Sequence, residues 1–243
     1  MTTSVTTKLG RREFLLAGGS LLAGIALSPG ARSAEPGLKI GVVGSGRVGG
    51  ALGAIWLKAG HEVMFSSLDL EQDKALAARH GGKARAGTTR EAAAFGEVLL
   101  ISVPYAALPK VGKDLADLIK GKVVVDTCNP ILSRDGATAT WARDKGAGLA
   151  SAELLPGARL VRAFNAVGAA RLPEIANIKE KIGMPIAGDD AAALAVASRL
   201  VREVGFEPVV VGPLAMGKYL IPGTPLAGEQ APDKLRQIAA TLK

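Results

Sequence analysis

The sequence predicts an α/β protein: a doubly wound, mainly parallel sheet with helices on both faces, extended by a small C-terminal α/β region. Three observations carry this. From Leu38 to Phe164, short apolar runs alternate with stretches of helical period, the βαβ alternation that builds a parallel sheet. Val98 to Val103 is apolar but for Ser102, as a strand is when both its faces are covered. The first apolar run, Leu38–Val43, passes directly into a glycine-rich turn and then a helix.

That turn is the most informative stretch of the chain. Gly44, Gly46 and Gly49 make G-x-G-x-x-G between a strand and a helix. Gly44 allows the tight turn, Gly46 admits a pyrophosphate close to the backbone, and Gly49 lets the helix approach the strand. Free N–H groups of Ser45, Gly46, Arg47 and Val48 at the helix start suit two phosphates. The expected fold is therefore Rossmann-like, with a dinucleotide on this loop.

The elements follow in order. A helix over Arg47–Ala59 ends at Gly60, and Glu62–Ser66 is the second strand. Leu70–His80 is helical and stops at Gly81–Gly82. Ala84–Ala86 is a short third strand, and Thr88 or Thr89 caps a helix to Phe95. After the fourth strand and Pro104, a helix covers Ala106–Ile119, broken or started by Pro109. Lys122–Asp126 is the fifth strand; Thr127–Gly136 reads as a long loop. Thr138–Pro156 is partly helical, interrupted by Gly146 and Gly148, and Leu160–Phe164 is the sixth strand. Met184–Ala187 and Pro208–Val211 are late strands around a helix, Ala191–Val204, capped by Asp189 or Asp190. Met216–Ile221 is a short helix, followed by the turn-rich IPGTPLAGEQAP and a last helix over Asp233–Leu242. The organisation is then residues 1–34 as an export signal, 38–225 as the nucleotide-binding domain and 226–243 as a C-terminal turn and helix.

Composition narrows the function classes. Of 243 residues, 48% are hydrophobic but only 4% aromatic, so aliphatic side chains and alanine fill the core. The formal charge is +8; Lys8, Arg11, Arg12 and Arg32 against Glu13 leave about +5 for residues 34 onward. No dense basic stripe with interleaved aromatics occurs, which argues against nucleic-acid binding. Cys128 is the only cysteine, so no disulfide forms within the chain. Lys8, Arg11 and Arg12 precede a mild apolar segment, Phe14–Pro29, and then the small residues Gly30, Ala31, Ser33 and Ala34. RREFL at Arg11–Leu15 resembles the twin-arginine signal that exports folded proteins through the twin-arginine translocase. The expected location is the periplasm, with cleavage near Ser33; an uncleaved hydrophobic anchor or an ordinary export signal are the alternatives.

The second strand ends in Ser66–Ser67 instead of the acidic residue that holds a ribose 2′-OH in NAD sites. Two hydroxyls suit a 2′-phosphate that a carboxylate would repel, and Arg47 can reach either phosphate group. NADP is expected over NAD. Asp69 has two readings: ribose ligand in an NAD site, or N-cap of the helix at Leu70.

Five segments in order carry a family resemblance: GVVGSGRVGG (41–50), LLISVPYAAL (99–108), VVVDTCNPI (123–131), LVRAFNAVGA (160–169) and the region from IAGDD to LAMGKYL (186–220). With these the chain resembles the NADPH-dependent reductases of the deazaflavin coenzyme F420, and is similar to the reductase domain of the STEAP ferric reductases. The resemblance implies a Rossmann domain with a small C-terminal region, often a homodimer, transferring hydride between NADPH and a flavin or deazaflavin. It implies that Ser66 and Ser67 lie by the adenosine ribose, Ser67 standing where the family often has an arginine for the 2′-phosphate. Ser102, Val103, Pro104 and Tyr105 would line the cofactor, and Asn129 and Pro130 would sit near the nicotinamide. Phe164, Asn165 and Ala166 would flank the hydride-transfer face, and Phe164, Met216 and Gly217 would form the acceptor pocket.

Direct hydride transfer between rings requires alignment and no strong acid or base, so no catalytic side chain is expected. His61 and His80 are expected at the surface. Asn129 and Asn165 either bond the nicotinamide carboxamide or cap local turns. Cys128 reads as a small, partly buried side chain, and two His with one Cys make no metal site. Two rival functions remain: reduction of a small imine, keto compound or ferric chelate by NAD(P)H, and a dinucleotide-binding accessory or sensor protein without turnover.

Overall fold

In the computed structural model, which describes residues 1–4 and 36–242, the chain alternates strand and helix from Lys39 onward. β1 (Lys39–Val43) runs into α1 (Arg47–Lys58), then β2 (Glu62–Ser66), α2 (Leu70–His80), β3 (Ala84–Ala86), α3 (Thr89–Phe95) and β4 (Val98–Ile101). A 3-10 turn at Tyr105–Ala107 leads to α4 (Leu108–Asp114), α5 (Ala116–Ile119) and β5 (Val123–Asp126). Next come α6 (Leu132–Lys145), α7 (Ala147–Leu154) and β6 (Arg159–Arg162). The last third adds β7 (Gly183–Gly188), α8 (Ala191–Val204), β8 (Glu207–Gly212), a 3-10 helix at Leu214–Tyr219 and α9 (Pro232–Thr241). The expected export segment falls almost wholly on residues 5–35, outside the described residues.

The eight strands form one sheet in the order β3-β2-β1-β4-β5-β6-β7-β8. The first six run parallel; β7 turns antiparallel to β6, and β8 lies parallel to β7. Connections diverge from β1, one way to β2 and the other to β4. A crevice therefore opens beyond the C-terminal ends of β1 and β4, where open α/β sheets bind ligands. Along β4 successive side chains go to opposite faces. Leu100 joins Ile40, Val42, Trp56, Phe65 and Leu200 on one side, while Leu99 and Ile101 join Val124, Leu115 and Tyr105 on the other. This is why β4 reads as an unbroken apolar run.

Local chemistry fixes the helix starts. Thr88 and Glu91 form a reciprocal capping box, Asp69 accepts from Gln72 N at 3.0 Å, and Asp190 accepts from Ala193 N at 2.8 Å. Asp69 and Asp190 are thus helix caps; Asp189 instead accepts from Leu214 N at 2.9 Å.

Three sequence expectations need correction. The loop after β5 is shorter than expected: α6 begins at Leu132, held by Asp135, which accepts from Ile131 N at 2.9 Å. Gly148 does not interrupt a helix but lies inside α7, where a Cβ would come within 1.9 Å of Leu214 O; the irregular glycines are Gly136 and Gly146, with φ of +51° and +90°. His61 is fully buried, not at the surface. Its Nδ1 accepts from Leu38 N at 2.9 Å and its Nε2 meets Glu203 Oε2 of α8 at 2.7 Å. The two nitrogens thus join the start of β1 to α8.

Candidate active site

The glycine loop closes the C-terminal end of β1. Gly44 has φ +97°, and a Cβ there would lie 2.3 Å from Ser102 O, so only glycine fits between β1 and β4. At Gly49 a Cβ would lie 2.1 Å from Gly44 O, so this glycine sets the approach of α1 to the loop. Gly46 differs: it is exposed, and a Cβ there would meet nothing within 4 Å. It stands at the N-cap of α1 with no side-chain cap, leaving the first N–H groups free. Open space over unsatisfied donors is the cradle a pyrophosphate requires.

Two clefts flank this loop and share Ser102, Val103 and Pro104 as a common wall. One, about 700 Å³, is bounded by Gly44, Gly46, Ser67, Leu68, Asp69 and Gln72, with Arg90 and Lys110 on its other side. The other, about 930 Å³, is bounded by Arg47, Val48, Asn129, Arg134, Asn165 and Ala166, and by Pro222–Thr224 with Ala227 and Gly228. A dinucleotide laid across the loop would reach both.

The adenosine side is organised by a residue that sequence reading missed. Asp73 of α2 is fully buried and accepts from the hydroxyls of Ser45 and, at 2.8 Å, Ser67. It ties the glycine loop and the tip of β2 to one helix. The expected hydroxyl pair is corrected by the same geometry. Ser66 is fully buried and donates to Val42 O at 2.8 Å, while its carbonyl accepts from Gly44 N and Ser45 N. Ser67 has one proton, and it is directed to Asp73. Neither hydroxyl donates into the cleft.

The floor of the larger cleft rests on a buried ion pair. Arg162 and Asp126 are both fully buried, at partnered positions of β6 and β5. Arg162 Nη2 donates to Cys128 O at 3.0 Å, and Asp126 Oδ1 accepts from Cys128 N at 2.7 Å. The pair clamps the turn that carries Asn129, whose Nδ2 donates to Asn165 O at 2.8 Å. Asn129 Oδ1 and Asn165 Oδ1 are buried and have no partner among the described residues. Such orphaned acceptors beside a cleft fit a ligand amide, and with the open Gly46 they meet the demands of a nicotinamide dinucleotide. Cys128 is buried; burial and then Asp126 push its thiol well above the ordinary range, so it is no nucleophile.

On the rim, Arg134 donates through Nε (3.0 Å) and Nη2 (2.8 Å) to Asp135, and through Nη2 to Asn129 O at 2.8 Å. Burial pushes the Asp135 carboxyl up. The bonds from Arg134 and from the N–H groups of Ile131 and Ala106 outweigh that and hold it below its ordinary value.

Several expected residues lie elsewhere. Tyr105 is fully buried, its hydroxyl on Ala147 O at 3.2 Å and Ser151 Oγ at 3.0 Å, and burial pushes its phenol up to about 12. Pro130 is buried, with its carbonyl on Arg143 Nε at 2.9 Å. Phe164 has φ +64°, and its ring packs edge-on to Trp56 and Phe206 in the core. Met216 sits in the cluster with Leu220 and Leu235, and Gly217 packs against Arg162 Cδ and the backbone of Gly148. None of these five borders either cleft. The acceptor side is closed instead by Val167–Ala170 and by the turn at residues 222–228, tied across by Gly228 N to Ala166 O at 2.9 Å. The glycine and proline richness of that turn was visible in the sequence, but not where it lands. Among the described residues no group of His, Cys, Asp and Glu could hold a metal ion, and no helix is long and apolar enough to cross a membrane.

Fold, glycine loop and paired clefts together define an NAD(P)-dependent oxidoreductase that transfers hydride to a small acceptor. A family model described as NADP oxidoreductase, coenzyme F420-dependent, matches residues 39–130. The chain is 32% identical to the F420-dependent NADP reductase of Methanothermobacter marburgensis over 205 residues, covering 78% of this chain and 90% of that one. It therefore belongs to the F420-dependent NADP reductase family. It is also 28% identical to the rat Metalloreductase STEAP3 over 190 residues, 74% of this chain but only 35% of that longer protein. Among solved structures, an F420-dependent NADP-reductase-like protein of Arthrobacter sp. FB24 superposes with a TM-score of 0.66 at 21% identity, over 75% of this chain and 88% of that one. That likeness supports the fold.

Proposed function

We propose that the protein uses NADPH to reduce a flavin- or deazaflavin-like acceptor of the F420 type. One observation carries the reading: among the described residues, no carboxylate, histidine, lysine, tyrosine or cysteine borders the larger cleft. Reduction of an imine or ketone calls for a proton donor at the new N–H or O–H, whereas hydride passing between two stacked rings requires only alignment. When bound, NADPH supplies the hydride. The chain's part is to grip the pyrophosphate on the backbone from Gly46 to Val48 and to offer Asn129 Oδ1 and Asn165 Oδ1 to the carboxamide. The wall from Ser102 to Pro104 would back the ring. The relatives' NADP chemistry supports NADP over NAD. The test is oxidation of NADPH by purified protein, followed by loss of reduced-nicotinamide absorbance, with F420, FMN, FAD and a ferric chelate. Oxidation by a ring acceptor, with NADH weaker than NADPH, is expected. Oxidation by the chelate alone, or by nothing, refutes the reading.

We further propose export by the twin-arginine route and a homodimeric state, supported by the Arg11–Arg12 motif and the family resemblance. Fractionation of cells carrying Arg11→Lys with Arg12→Lys tests the first, and light scattering of the purified protein tests the second. Retention in the periplasm by the double variant, or a monomer mass, refutes each.

A further inference from the structure

We propose that Arg171 and Glu229 latch the two walls of the larger cleft together at its mouth, and that both are positioning residues for the acceptor. The proposal rests on the hydride-transfer reading above, which makes this cleft the acceptor's, and adds what holds the cleft to its width.

The walls come from distant parts of the chain, Val167–Ala170 on one side and the turn at residues 222–228 on the other. Each is anchored separately. Buried Leu172 and Ile175 follow the first. In the second, Leu226 is fully buried beside Leu220 and Leu235, and Gln230 Nε2 braces the turn from Pro225 O at 3.1 Å and Ala227 O at 3.0 Å. None of these bonds crosses the cleft. The crossing is made at the wall ends, where Gly228 N donates to Ala166 O at 2.9 Å. Gly228 has φ +87°, and a Cβ there would meet nothing within 4 Å; Gly168 on the facing wall is equally open. Packing therefore does little to hold this joint. The next residue does more. Glu229 meets Arg171 fork to fork, with Nε on Oε1 at 2.5 Å and Nη2 on Oε2 at 3.0 Å. Arg171 Nη1 donates to Glu174, which lies on the same side as the first wall and steadies the fork. At 41% and 33% exposure an isolated pair would contribute little, but a bidentate pair within a network is the geometry that does contribute. Arg171 draws the Glu229 carboxyl below its ordinary value, as a formed pair requires. Neither side chain borders the cleft, so both act through the walls. A ring stacked for hydride transfer needs its gap held near contact distance, and parted walls lose that alignment.

The experiment compares wild type, Arg171→Gln, Glu229→Gln, the double variant and Glu174→Gln. Amide hydrogen exchange at Gly228, followed by NMR, reads the joint with no ligand present. The KM for riboflavin, a neutral ring acceptor, reads the cleft, and nicotinamide fluorescence gives the Kd for NADPH. Arg171→Gln and Glu229→Gln should each speed exchange at Gly228 and raise the riboflavin KM about five-fold, with the NADPH Kd within about two-fold of wild type. The double variant should be no worse than either single one, because each already breaks the same pair. Glu174→Gln, which leaves the crossing pair intact, should change both readouts less. Unchanged exchange at Gly228 overturns the proposal, as do effects that add in the double variant. Faster exchange with an unchanged riboflavin KM overturns the positioning role. A rise in NADPH Kd that parallels the riboflavin effect also overturns it, since the pair would then prop the whole site. If wild type passes hydride to no acceptor, the functional reading has failed. Exchange at Gly228 then still decides the latch, and riboflavin-fluorescence titration of NADP⁺-loaded protein decides the positioning role, which equal affinity in wild type and Glu229→Gln overturns.

Discussion

Replacing Gly46 and Gly49 by alanine separates cofactor binding from folding within one four-residue loop. At Gly46, φ is −67° and the added methyl meets no atom within 4 Å. Alanine loses a little as an N-cap but removes unfolded-state freedom, effects of about 0.5–1 kcal/mol that oppose each other. Gly46→Ala should therefore leave the urea midpoint within about 1 kcal/mol of wild type. The methyl does stand where the pyrophosphate must come. Losing one charge-assisted hydrogen bond costs about 1.5–3 kcal/mol, or roughly 10- to 150-fold in Kd for NADPH. At Gly49 the methyl would lie 2.1 Å from Gly44 O, which is backbone and cannot rotate away. Gly49→Ala should lose about 3 kcal/mol of stability, the upper range for overpacking. Urea denaturation and NADPH fluorescence titration read the two effects apart. A Gly46→Ala protein that binds NADPH within two-fold of wild type (about 0.4 kcal/mol) refutes the placement of the pyrophosphate. One that loses stability as Gly49→Ala does refutes the reading of Gly46 as open space.

Three further outcomes follow from the site. Asp126→Asn leaves Arg162 charged, buried and without its counter-ion, and should cost about 3–5 kcal/mol in urea denaturation; a smaller loss than Gly46→Ala would count against the pair as a foundation of the cleft. Asp73→Ala strands the hydroxyls of Ser45 and Ser67, a cost of about 2–4 kcal/mol, and should weaken NADPH because the glycine loop loses its tie to α2; unchanged binding would detach Asp73 from the site. For Asp135, the folded carboxyl titrates below the ordinary value of 3.8, so its contribution is complete above that pH and is lost as pH falls through the folded value. The melting temperature of wild type should therefore fall more steeply than that of Asp135→Asn below pH 3.8, and parallel curves would contradict the shift.

The strand–helix order was legible because each element announces itself locally. Val98–Ile101 is apolar at every position, Thr88 and Glu91 have capping spacing, and glycines punctuate the ends. What stayed hidden depends on partners far along the chain. Arg162 and Asp126 are each unremarkable as the last residue of a strand; their pairing exists only because β5 and β6 are neighbours in register. Asp73 did leave a trace, lying one helical turn before buried Ala77 and so on the inward stripe of α2. The expected roles of Phe164 and Tyr105 failed for a directional reason. Sequence places a residue at a strand's end but not the rotation of its side chain, and Phe164, at φ +64°, turns its ring into the core and leaves Asn165 on the cleft.

The turn at residues 222–228 closes the acceptor side, while the match to the family model ends at residue 130. The glycine loop and the turn that closes the larger cleft are thus written in different stretches of the same chain. Substitutions in the later stretch can refit the ring partner while the glycine loop stays as it is.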